Sequence, residues 1–358
     1  MDFSLTDDQK SLRALTREIL RDGVTNEYLQ ALEKQGWSVF DRPLWQKLAT
    51  AGITGIAVPE AQGGGGLGFL ELSLVLEEVG RTVAPIPAVP TLTTAFVLGA
   101  HKVAPDLLAG VADGSAILAT AFEGEVLASR DGDDYLLTGE LPFVPYGAEA
   151  DAVVVPALFG EGPVVAVVRR GTRGLTVTEL QTTNREPQAL LVLAGVRIAA
   201  TDVVEGADDL VRDLRLHATA ALCSVASGVC QAALDMTAKH TSTREQFGKP
   251  IASFQAVGQR AADAYIDTEL VRLTALQAAW RLAEGWPADE EVAVAKFWAG
   301  DGGMRALHAC QHLHGGLGVD LEYPLHRYFL WGKQIEHELG TPTCQLLTLG
   351  AQLVATPV

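Results

Sequence analysis

Three long stretches of helical period, Ala220–His240, Phe254–Glu284 and Glu290–His314, follow one another with short connections and no strand signal between them. Helices of about 20 to 30 residues in series, joined by short loops, pack as antiparallel neighbours, so this part of the chain is committed to a helix bundle. The last stretch places Ala306, Cys310 and Leu313 on one face, the spacing of a buried stripe.

Upstream the texture changes twice. From 116 to 205, the β-branched runs Ala152–Val155, Val164–Val168 and Leu175–Val177 are separated by turn residues, and the acidic glycine turn Asp131–Asp134 precedes the run Tyr135–Thr138. A small antiparallel β domain is predicted there. Before 115 the period is helical: Thr6 and Gln9 form a capping box, and Leu12, Leu15 and Ile19 repeat behind it. In FLELSLVLEEVGR, Leu72, Val75, Leu76 and Val79 share a face while Glu71, Glu77 and Glu78 lie elsewhere, predicting a core side and a wet side. The expected class is α+β, mainly α, with an N-terminal α-helical domain (1–115), an antiparallel β domain (116–205) and a C-terminal four-helix bundle domain (206–358). A chain of 358 residues is long enough for more than one core. Helices, then sheet, then helices also excludes most doubly wound nucleotide-binding folds, where the two alternate.

Composition narrows the function classes. With 48% hydrophobic and 20% charged residues the chain reads as a soluble globular protein. A formal charge of −17 argues against nucleic acid or an anionic membrane as main partner, so an anionic ligand needs a few placed cations or backbone amides. No run approaches the roughly 18 consecutive apolar residues of a membrane span. The opening MDFSLTDDQK lacks the basic-then-apolar order of a signal peptide, so a cytoplasmic protein is expected. Cys223, Cys230, Cys310 and Cys344 form no CxxC pair and read as small core residues in a reducing compartment.

Gly63–Gly68 matches GxGxxG before a helix, but Val58-Pro59-Glu60 leads into it and no βαβ unit follows. A flexible connection is the better reading. His308, His312 and His314 cluster without HExxH or Glu-x-x-His, so no metal is expected, and they read as packing or hydrogen-bonding histidines near a ligand. The connection TREQFGKPIASFQ is more informative, because Arg244, Gln246 and Lys249 bring donors suited to phosphate or ribose while Phe247 and Phe254 bring apolar surface. Gln311–Gly318, QHLHGGLG, ends a helix in paired glycines that permit positive φ and close backbone approach. Spacing alone predicts two inter-helix loops that contact an anionic cofactor.

The blocks SLTDDQKSLR, LWQKLATAGITGIAVPEAQGGGGLGFLELSLVLEEVGR, TREQFGKPIASFQAV, AKFWAGD and QHLHGGLGVDLEYPLHRYF, in this order, resemble the acyl-CoA dehydrogenase family over essentially the whole chain. The resemblance implies FAD lying between a β domain and a helix bundle, its ADP end held by a neighbouring subunit. It places Arg244 on the pyrophosphate and Phe247 near the flavin. Gln255, Gln311, Gly315 and Gly316 line the ADP arm beside Gln246, and Thr341 is a flavin-side contact. It also implies an acyl-CoA substrate, losing a proton from the α carbon and a hydride from the β carbon, and an electron-transfer flavoprotein or similar acceptor.

The chain departs from that family where the proton is taken. The family's glutamate precedes Gly-Thr in a triplet that here reads Leu339-Gly340-Thr341. A minority of members carry it on an earlier helix, at a position that is here about Ala218. Glu338 and Glu336 are the remaining candidates, Glu338 the nearer, although neighbouring helical positions point about 100° apart. The stretch Thr120–Asp134 is short, and Phe143-Val144-Pro145 stands where relatives carry a flavin-gripping Trp-x-Ser/Thr. The resemblance therefore points to a base-lacking subunit that pairs with a homologous one in an α2β2 heterotetramer, like those of actinobacterial steroid side-chain breakdown. A self-sufficient homotetramer or reductase using Glu338, and a purely structural subunit, stay open.

Overall fold

The computed structural model describes residues 4–355. Met1–Phe3, part of the opening stretch considered above, and residues 356–358 at the end of the expected bundle domain lie outside the described residues. Six helices come first: α1 (Asp7–Gly23), α2 (Asn26–Glu33), α3 (Arg42–Thr50), α4 (Phe69–Thr82), α5 (Ala88–His101) and α6 (Pro105–Ala112). Eight strands follow: β1 (Leu118–Thr120), β2 (Glu125–Asp131), β3 (Asp134–Pro145), β4 (Ala152–Phe159), β5 (Gly162–Arg169), β6 (Leu175–Leu180), β7 (Gln188–Ile198) and β8 (Val203–Glu205). The remainder is α7 (Asp208–Thr243), the hairpin β9 (Glu245–Gln246) and β10 (Lys249–Pro250), then α8 (Gln255–Ala283), α9 (Asp289–His314), α10 (Leu325–His337) and α11 (Pro342–Ala355). This is the α+β, mainly α architecture expected, with N-terminal helices, a central sheet and C-terminal helices.

The chain forms two compact units. One comprises Met1–Leu32, Phe69–Ala84 and Thr219–Val358, the other Glu33–Gly68 and Pro85–Ala218. In the first, α1 starts on the expected capping box: Gln9 N donates to Thr6 Oγ1 at 3.2 Å and Thr6 N to Gln9 Oε1 at 2.9 Å. Its buried residues are Thr16, Ile19 and Leu20, whereas Leu15 is exposed. The wet side expected of α4 does not exist. Glu78 is 1% exposed and takes hydrogen bonds from Arg13 Nε at 2.9 Å and Arg17 Nη2 at 2.7 Å, while Arg13 Nη2 reaches Glu77 at 2.6 Å. Periodicity reads a glutamate as solvated, but guanidinium groups from α1 replace the water. The other flank of α4 lies on α7, where Gly80 and Gly228 let the two backbones meet: a Cβ on Gly80 would run into Val225 O, and one on Gly228 into Glu77 O.

In the second unit the sheet runs β6-β7-β3-β2-β4-β5-β8, with β1 beside β4. It is not purely antiparallel as predicted, since β1 and β2 both pair parallel to β4. Alternate side chains, among them Leu137, Val155, Ala166, Leu191 and Val196, make its core. Only four residues, 121–124, link β1 to β2, and the β3–β7 register shifts between Leu141 and Val144, where Phe143 is 64% exposed at φ 55°.

By length and composition α7 could cross a membrane, yet 83% of its most apolar window is buried within the protein, as in the core helix of a bundle. Cys223, Cys230 and Cys310 are buried as expected; Cys344 is exposed, a correction, because it sits in the first turn of α11.

Candidate functional site

Glycines 63–68 can be set aside first. Gly63 N donates to Glu60 O, Gly64 N to Pro59 O, Gly65 N to Gly55 O, Gly66 N to Val58 O and Leu67 N to Ile56 O. With these amides consumed internally, none is left to cradle a phosphate. The segment is a tightly bonded turn, not the flexible connection expected.

In the bundle unit, β9 and β10 are closed by Phe247 and Gly248 at φ 54° and 75°. Two successive positive φ values make a type I′ turn, which suits Gly248 but costs a phenylalanine about 1–2 kcal/mol. Phe247 is 92% exposed and meets only the edge of Phe254, centroids 6.1 Å apart, so most of its ring is open to a ligand. Arg244 is fixed by its backbone, its N donating to His240 O and its O accepting from Ile251 N, both at 2.8 Å. Its guanidinium makes no hydrogen bond or ion pair among the described residues. Gln246 donates to Glu245 O at 2.7 Å, and Gln255 opens α8 exposed to solvent.

The second loop leaves the end of α9. Gly315 has φ 62°, and a Cβ on Gly315 or Gly316 would meet nothing within 4 Å, so this backbone is open to approach. Gln311 turns beneath it, its Cγ 3.1 Å from where a Cβ of buried Gly318 would stand. The two loops are brought together by residues that the sequence did not single out as a pair: His240, four before Arg244, stacks on His314, next to Gly315, with centroids 4.4 Å apart and planes 19° apart. Nδ1–H of His314 donates to Cys310 O at 2.8 Å, and Nε2 accepts the Tyr323 hydroxyl at 3.1 Å. Burial depresses the pKa of both imidazoles, with Arg244 adding to the effect on His240. His308 packs edge-on against Phe329 and His312 is exposed. Among the described residues no three His, Cys, Asp or Glu side chains could share a metal ion.

The third group lies at the other end of α9. Helix α10 stops at His337, Glu338 is extended (φ −65°, ψ 136°), and Leu339 and Gly340 have φ 56° and 102°. The helical spacing assumed for 338 and 339 therefore does not apply, because the chain has already left the helix. Leu339 is 8% exposed, hydrocarbon in a locked turn. Fully buried Lys296 donates from Nζ to Ile335 O and Gly340 O at 2.8 Å and to Glu336 O at 3.4 Å, and Gln345 Nε2 donates to Leu339 O at 3.1 Å. Burial raises the Glu338 carboxyl above its ordinary range against the opposing pull of Gln334 and Lys296. Thr341 caps α11, its Oγ1 accepting from Cys344 N at 3.4 Å and donating to Cys344 Sγ at 3.3 Å. Ala218, the alternative base position, is buried and apolar. Sequence reasoning missed Lys296, although a lysine amid Val292, Ala293, Ala295 and Ala299 was a visible signal.

An unengaged guanidinium, a presented phenyl ring, an exposed glutamine and an open glycine backbone fit an aromatic, diphosphate-bearing cofactor. Residues 6–110 match the acyl-CoA dehydrogenase N-terminal domain and residues 214–354 the C-terminal domain. Acyl-CoA dehydrogenase FadE27 of Mycobacterium tuberculosis is 41% identical over 100% of both chains. FadE28 of the same organism is 34% identical over 91% of this chain and 97% of its own. Among solved structures, the ChsE4–ChsE5 complex from Mycobacterium tuberculosis superposes with a TM-score of 0.95 at 42% identity over 100% of both chains. Butyryl-CoA dehydrogenase from Megasphaera elsdenii gives 0.90 at 25% identity, covering 99% of this chain and 100% of its own. This chain belongs to the acyl-CoA dehydrogenase family, a family of FAD-dependent oxidoreductases.

Proposed function

We propose that the chain is one subunit of a heteromeric acyl-CoA dehydrogenase, contributing ADP-arm contacts for FAD while a homologous subunit supplies the catalytic glutamate. The observation that carries this reading is Leu339, an apolar side chain locked at the family's base position. Arg244 would pair with the pyrophosphate, Phe247 would cover the flavin side, Gln246, Gln255, Gln311, Gly315 and Gly316 would line the ADP arm, and Thr341 would face the ring. When bound, FAD supplies the hydride acceptor for α,β-desaturation of an acyl-CoA thioester.

Geometry within the unit supports a shared site. Lys296 and His314 are 18 residues apart on α9, about 27 Å along its axis. The Thr341 turn, bonded to Lys296, and the Gly315 loop, beside His314, are thus too far apart to grip the same ribityl diphosphate. The ADP-arm contacts would therefore reach a flavin whose ring lies against another subunit, in an assembly with fewer flavins than chains.

The ChsE4–ChsE5 complex and the Tcur3481–Tcur3483 steroid ACAD, 39% identical at a TM-score of 0.92, support a heteromer acting on steroid side-chain CoA esters. An α2β2 tetramer in the cytoplasm, passing electrons to an electron-transfer flavoprotein or similar acceptor, completes the proposal. A second reading draws on the raised carboxyl of Glu338, which suits a general base in a self-sufficient enzyme.

Flavin absorbance of the isolated chain and of a co-expressed pair separates these readings. Flavin in the pair alone, reduced in occupancy by Arg244→Ala, is the expected result. Flavin in both, with turnover abolished by Glu338→Ala, would replace the proposal with the second reading. Flavin in the pair that ignores Arg244→Ala would reduce the chain to a structural subunit.

A further inference from the structure

Lys296 is 0% exposed, in the interior of α9, with its ammonium on three main-chain carbonyls of another segment. The ordinary reading is a helix cap, since the end of α10 leaves carbonyls without partners. A cap would end at the helix, however, and this one bridges the chain reversal. Ile335 O lies on the helical side and Gly340 O on the far side, each 2.8 Å from Nζ. A second buried side chain, Gln345, holds Leu339 O between them at 3.1 Å. What the two donors enclose is a leucine at φ 56°, a conformation that residues with a Cβ avoid and that persists only where the surroundings over-determine it. The residue after this clamp is Thr341, whose hydroxyl hydrogen is directed at a thiol, a weak acceptor easily exchanged for a better one.

We infer that Lys296 is a positioning residue for the flavin: it holds Leu339-Gly340 in one conformation and thereby fixes where Thr341 presents its hydroxyl. Gln345 completes the clamp from α11. Neither side chain touches the cofactor; both act through Thr341. The inference rests on the flavin-side assignment of Thr341 made above.

The test is a double-mutant cycle on flavin affinity in the co-purified complex. Thr341→Ala and Lys296→Gln are each expected to weaken flavin binding on the order of tenfold, the effect of one hydrogen bond. The double variant should be no weaker than Thr341→Ala alone, and the flavin visible band should shift alike in all three, because residues acting through one contact are not additive. Multiplying effects in the double variant would overturn the inference, since general destabilisation adds independently. Gln345→Leu probes the clamp without touching the buried charge, so it serves where Lys296→Gln does not fold. Folded Lys296→Gln or Gln345→Leu complexes with unaltered flavin affinity and spectrum, alongside a weakened Thr341→Ala, would also overturn it. Unaltered flavin in Thr341→Ala would remove the flavin-side assignment itself, and this inference with it.

Discussion

Arg244 and Glu78 show opposite uses of charge at single positions. The Arg244 guanidinium makes no hydrogen bond or ion pair among the described residues and is exposed, so it is available to an anion. Its replacement by alanine should raise the flavin dissociation constant of the complex by about 10- to 100-fold, the worth of a charge-assisted hydrogen bond, with little change in thermal stability. Equilibrium dialysis against FAD checks this. Glu78 is the reverse case, a carboxylate wholly committed to the fold. Burial alone would raise its carboxyl, but the hydrogen bonds from Arg17 and Arg13 outweigh burial and hold it below the ordinary range. Glu78→Ala takes away the carboxylate that Arg17 pairs with and leaves Arg13 with Glu77 alone, and should cost about 3 kcal/mol, read from denaturant midpoints. A group with a depressed folded pKa gives its stability above the unfolded value and loses it as pH falls, so the difference between the wild type and Glu78→Ala should shrink below pH 4.5. At this scale the sequence singles out Arg244, Phe247 and Leu339, and the structure leaves the first two exposed and the third buried. It does not single out Glu78, because the partner that buries it is contributed by another helix.

At the scale of elements, close approach and ring stacking do what periodicity cannot announce. Gly80 on α4 and Gly228 on α7 stand where backbone meets backbone, and either Gly→Ala change should destabilise by about 2 kcal/mol or more through overpacking. Thermal melts of the two variants would check it, and unchanged melting would mean the helices can separate without loss. The His240–His314 stack ties the ends of α7 and α9 together. Both imidazoles have depressed folded pKa values, so the unfolded chain binds more protons, and stability present above pH 6.5 is lost as pH falls toward the folded values. His240→Phe keeps an aromatic stack and removes one titrating group. Its urea midpoint should fall less than that of the wild type between about pH 7.5 and about pH 5. The long helices and the strands β3 to β6 were readable from period and β-branched runs. The parallel placement of β1 and β2 on β4 was not, since strand direction is set by connections and sheet packing. The end of α10 differs from expectation for a similar reason: Glu338 and Leu339 are read as helical from their neighbours, whereas bonds from Lys296, distant in sequence, and from Gln345 on the following helix hold the turn they enter.

For the whole molecule, the long α9 keeps the Arg244 and Gly315 loops and the Thr341 turn at opposite ends, and Leu339 puts hydrocarbon at the position where the family resemblance leads one to expect a base. Both features fit a protein that is complete only as part of an assembly. The most direct measurement is the bleaching of flavin on adding an acyl-CoA thioester under anaerobic conditions, with the lone chain supplied with free FAD and the co-purified heteromer side by side. Rapid bleaching by the heteromer and none by the lone chain is the predicted result. Bleaching by the lone chain at a comparable rate would contradict it, placing a competent base within this polypeptide.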